Sequence, residues 1–174
     1  MQEYNNMQAL KRRMYAMRNG IVADALRKGG SSFQIIFGVN LPQLAEIAAD
    51  MPHTKDFATE VWQNTTTRES MLMAPMLMPV DDFTRADAEE WISLAPDREV
   101  IDVLCLKLLR RLPYALDLAQ ELMDSADPMR LYAGLRLMCN LAPAHPAEAV
   151  AAGRRFAANP AYRPLADILL SYGE

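Results

Sequence analysis

Helix-start signals recur along this chain near residues 66, 97, 128 and 160, at intervals of 31, 31 and 32. Thr66-x-x-Glu69 reads as a capping box, in which each side chain satisfies a free backbone N–H of the other residue. Asp127-Pro128 joins a cap residue to a proline at the first helical position, where its missing N–H costs nothing. One shorter helical segment lies between each pair of starts, near 84–94, 113–123 and 146–157, and Thr84-x-x-Asp87 is a second box. Two helices per period of this length cannot bury an apolar face alone, so they must stack. The pattern predicts an all-α fold, an α-α superhelix (solenoid) of antiparallel helix pairs, with about eleven helices and no strand. Seven glycines in 174 residues are too few for the turns of a many-stranded protein, which agrees.

Ahead of the repeats, residues 5–19 form a basic amphipathic helix that stops near Asn19-Gly20, and a short helix ends at Gly29-Gly30. Residues 1–30 are read as capping helices and 40–174 as the repeats, within one domain spanning 1–174. Between them Phe33-Gln-Ile-Ile-Phe-Gly-Val is apolar enough for a strand but has no evident partner. Asn40 caps the next helix, and a further one covers about 54–63. Pro75 implies a kink or early break in the Met-rich helix after Arg68. The methionines there, Met71, Met73, Met76 and Met78, suit a plastic core or an adaptable partner surface.

The helices starting near 97 and 128 are apolar almost all round and so belong to the inner layer, which makes their polar residues informative. Arg68, Arg98, Arg130 and Arg163 recur near successive inner-helix starts, where the macrodipole disfavours a cation. They form either a row suited to nucleic-acid phosphates or a structural ladder between repeats. Asp102 shares a face with Arg98, Cys105 and Leu109. A carboxylate in that setting is either paired with Arg98 or another helix, or serves as an anionic centre in a cleft.

Net charge is −4, so the whole molecule is no generic polyanion binder. The charge is uneven, however. Lys11, Arg12, Arg13, Arg18, Arg27 and Lys28 face only Glu3 and Asp24 in the first 28 residues, while residues 81–99 are acidic and should face away from any phosphate. Two cysteines and two histidines, without metal-ligand spacing, argue against a zinc site, and no nucleotide or other cofactor motif is present. No apolar run is long enough for a membrane span, and the cysteines, read as buried thiols, suit the cytoplasm.

Phe37-Gly-Val-Asn-Leu-Pro-Gln-Leu-Ala-Glu-Ile-Ala, followed by Val61-Trp62 and Arg68-Glu69, resembles a signature of the AlkD-like DNA alkylation-repair proteins over roughly residues 15–140. The resemblance implies a HEAT-like-repeat superhelix gripping duplex DNA. In active members it also implies excision of cationic alkylpurines such as 3-methyladenine and 7-methylguanine, with an aspartate stabilising the positive transition state. Asp102 stands where that aspartate is expected, and Arg130 near a DNA-contacting arginine. Two departures stand out: Arg98 replaces the family tryptophan one turn before the aspartate, and no tryptophan follows Trp91. A cation at 4 Å offsets the carboxylate's field by about 1–4 kcal/mol. The expectation is therefore a repair-related, duplex-DNA-binding protein in which the aromatic box needed for glycosylase activity is missing. An active glycosylase using Asp102 and a non-catalytic protein-interaction scaffold are the alternatives.

Overall fold

The computed structural model describes residues 5–173. Among them are eleven α-helices and no strand: α1 (Asn6–Ala16), α2 (Gly20–Lys28), α3 (Leu41–Ala49), α4 (Lys55–Gln63), α5 (Arg68–Leu77), α6 (Arg85–Leu94), α7 (Arg98–Lys107), α8 (Ala115–Met123), α9 (Pro128–Leu141), α10 (Pro146–Phe156) and α11 (Arg163–Leu170). Single 3-10 turns cover Val80–Asp82, Leu109–Arg111 and Ser171–Gly173. The chain divides into two compact units, residues 1–83 and 84–174, at a point where the sequence marks no boundary.

In the second unit α8 packs along α9 and α10 along α11, while α9 also meets α6, α7 and α11. Its core is the all-round apolar α7 and α9: Val100, Ile101, Leu104, Cys105, Leu135 and Leu137 have no exposed surface. Caps fix the starts. Thr84 and Asp87 form the anticipated box, Asp97 accepts from Val100 N, and Asp127 accepts from Met129 N and Arg130 N ahead of Pro128. Gly134 sets how closely α8 and α9 approach. A Cβ there would lie 2.7 Å from Met123 N and 2.9 Å from Ala119 O, both backbone atoms that cannot swing aside. Gly134→Ala is expected to force the two helices apart and cost about 2 kcal/mol, read as a lower denaturation midpoint at unchanged m-value.

The first unit is held by a loop. Residues 31–40 run between the start of α2 and the start of α5. Ile35 forms an isolated parallel bridge with Thr67: its N–H donates to Thr66 O at 3.0 Å, and its carbonyl accepts from Arg68 N at 3.1 Å. The apolar stretch thus finds a partner, but only one residue long. Phe37 O accepts from Asn19 N at 2.7 Å.

Two local readings change here. The Thr66–Glu69 box does not form, because Thr67 is the N-cap and makes no side-chain cap bond. Glu69 turns away to accept from Phe37 N at 3.1 Å and Gly38 N at 2.9 Å. Asn19 does not stop α1, which ends at Ala16; it caps α2 by accepting from Ile21 N and Val22 N. The Met-rich α5 ends at Leu77, two residues past Pro75, and Met71, Met73 and Met78 are buried, with Met76 half-buried.

Candidate nucleic-acid interface

The informative polar residues meet on the facing sides of α7 and α9. Tyr132 Oη donates to Asp102 Oδ1 at 2.6 Å. Arg136 Nε lies 3.1 Å from the same oxygen as an ion pair, without hydrogen-bond alignment. The Arg98 guanidinium sits over the Tyr132 ring, 4.5 Å from its centroid, a cation–π distance. The side chains of Asp102 and Arg136 are each 33% exposed, so the cluster opens to solvent although Tyr132 beneath it is buried.

Electrostatics follow from the packing. Burial pushes the Tyr132 hydroxyl well above its usual range, and the hydrogen bond to Asp102 reinforces this, so the phenol stays a neutral donor. Burial likewise raises the Cys105 thiol, with the Asp102 carboxylate adding to it. Cys139 is pushed up to about 11, chiefly by burial, with Arg136 opposing. Both thiols are free and neither is set up as a nucleophile. The carboxylate pairs with Arg136 alone while Arg98 sits on the Tyr132 ring, so Asp102, Arg136 and Arg98 together carry a net positive charge.

The recurrent arginines divide. Arg68 is buried, bonded to its neighbour Glu69 at 2.9 Å and to Val39 O of the preceding loop at 3.3 Å, so it braces the loop and does not link one repeat to the next. Arg130 pairs with Glu89 of α6 at 2.6 Å, so the acidic stretch 81–99 does not wholly face away from these cations. Arg163 is exposed and paired along its own helix with Asp167 at 2.7 Å. Arg98 meets the Tyr132 ring, and Asp102 is bound from α9 rather than by Arg98. Arg136 was not anticipated. The signal for it was present, since it is a charged residue on the same apolar helix and four positions after Tyr132. Trp62 and Trp91 are both buried.

Among the described residues no three His, Cys, Asp or Glu side chains gather as a metal site would require, and no helix is long and apolar enough to cross a membrane. No protein-family profile matches the chain, and no curated protein matches it in sequence. A solved structure does match, described as "a new family of proteins related to the HEAT-like repeat DNA glycosylases with affinity for branched DNA structures". The match has a TM-score of 0.79 at 17% identity and covers 95% of this chain and 74% of that one. The fold of this chain is the all-α, HEAT-like-repeat fold of that DNA-glycosylase-related structure.

Proposed function

We propose that this protein is a non-catalytic, repair-related DNA-binding protein that engages phosphates through Arg98 and Arg136 and takes branched DNA in preference to plain duplex. The observation that carries this reading is the state of Asp102. Its carboxylate is already engaged by a hydroxyl and a guanidinium, within a cluster of net positive charge. Stabilising a cationic transition state needs an uncompensated anion aimed at the lesion. A positive cluster with a pre-placed guanidinium on an aromatic face suits a phosphate instead. Asp102 then acts as a positioning residue, holding Arg136 and Tyr132 on α9. The affinity for branched DNA of the structurally similar protein supports the substrate form, and the two free thiols suit the cytoplasm.

The test is binding to a four-way junction, a plain duplex and a methylated duplex at two salt concentrations, with base release assayed in the same tubes. Junction binding should weaken steeply as salt rises, and released base should stay at background. Arg98→Ala should weaken binding and lower the salt slope by about 1. Release of 7-methylguanine that Asp102→Asn abolishes would overturn the reading in favour of an enzyme. Absence of binding even at low salt would leave a protein-interaction scaffold.

A further inference from the structure

The corner between α1 and α2 presents an apolar tip inside a cationic rim. Ile21 is 84% exposed and Val22 beside it 38%. Tyr15, 56% exposed, lies on the last turn of α1 with its ring edge against Phe37 at 6.4 Å. The Arg18 guanidinium covers the Tyr15 ring at 3.9 Å, and its Nη1 donates to Tyr15 O at 2.9 Å. Single exposed apolar residues are ordinary. Here the tip is also fixed: Asn19 Oδ1 accepts from Ile21 N at 3.1 Å and Val22 N at 3.2 Å, and Asn19 N is tied to Phe37 O. Burying an isoleucine side chain is worth about 1.5–3 kcal/mol, and the fold forgoes most of that at Ile21.

The rim argues for the occupant. Lys11 and Tyr15 share one face of α1 by their i, i+4 spacing, Arg18 is brought back onto Tyr15 from the link after the helix, and Lys28 shares a face of α2 with Ile21. Over residues 6–28 six basic side chains stand against Asp24, which Arg27 faces at 3.5 Å; Arg13 is paired with Asp50 at 2.9 Å, which leaves Lys11, Arg12, Arg18 and Lys28 as the rim's cations. Two copies of so basic a corner would repel each other. A smooth duplex offers phosphates, but stacking hides its apolar base faces from Ile21. DNA with an opened base step offers both, and an apolar wedge beside cations is how proteins enter such a step.

Building on the proposed DNA-binding function, we propose that the α1–α2 corner is the element that reads branch points, with Ile21 seated against the exposed base step and the Arg18–Tyr15 stack against the adjoining base and phosphate. The experiment uses the full chain with a four-way junction carrying 2-aminopurine at the branch, and a linear duplex of the same sequence. Ile21→Ser should lower junction affinity about tenfold while changing duplex affinity less than roughly twofold. It should also abolish the wild-type change in 2-aminopurine emission. Unchanged junction affinity in Ile21→Ser, with wild type still binding, overturns the wedge and leaves the DNA-binding function standing. An equal loss on both DNAs also overturns it. A wild-type chain that binds neither DNA defeats both, and self-association broken by Ile21→Ser would then assign the corner to a second copy.

Discussion

Glu69→Ala is expected to be the most destabilising single substitution outside the apolar core, at about 3–5 kcal/mol. Glu69 has no exposed surface, yet one carboxylate serves three donors: Phe37 N, Gly38 N and the Arg68 guanidinium at 2.9 Å. Removing it leaves two backbone N–H groups of the loop without that acceptor and takes the carboxylate from a buried cation. Glu69→Gln should rescue little. An amide keeps one acceptor oxygen and turns its NH2 toward a group that also donates. Urea denaturation checks both variants: Ala and Gln should shift the midpoint by similar amounts. A Gln variant close to wild type would mean that the charge is unimportant and that the loop needs only an acceptor.

The same residues show what a sequence can and cannot tell. Helix positions were legible because their signals are local. The helices expected near 84–94, 113–123 and 146–157 are α6, α8 and α10, and Asp127-Pro128 opens α9 as read. Glu69 was misread because two competing partners fit its side chain. The nearby one, a capping box, is visible at a spacing of three; the distant one lies 31–32 residues upstream and exists only once the loop returns. The motif that gives the family resemblance, Phe37-Gly-Val with Arg68-Glu69, is therefore a clamp: one half supplies backbone donors and carbonyls, the other the ion pair that holds them. Its physics is structural, and it carries the fold without carrying chemistry.

The candidate site was legible by the same logic, and only in part. Asp102 was singled out as a carboxylate on an apolar helix, but its partner could not be assigned from i,i+4 spacing. Arg98 is one turn away along α7, yet the Tyr132 ring draws it off, and α9 supplies Arg136 instead. Which neighbour wins depends on the rotation of α9 against α7. That rotation is set by apolar packing and leaves no mark on the charged residues themselves.

Gly38→Ala should rank close to Glu69→Ala, at about 3 kcal/mol, for a different physical reason. Gly38 has φ +76°, where any Cβ meets the backbone and costs about 1–2 kcal/mol. The space is also closed: a Cβ would lie 2.2 Å from the carbonyl oxygen of the N-cap Asn19 and 2.9 Å from Ala23 N in the first turn of α2. The loop could relieve that overlap only by withdrawing, which breaks the Asn19 N–Phe37 O bond and draws Gly38 N away from Glu69. The damage is thus shared with the clamp, and the double variant Gly38→Ala/Glu69→Ala should cost less than the sum of the singles by about 1 kcal/mol or more. Because Asn19 also fixes Ile21, Gly38→Ala should loosen the α1–α2 corner, seen as faster hydrogen exchange at Ile21 and Val22. Additive single effects, with exchange at the corner unchanged, would show that the loop and the corner are held independently.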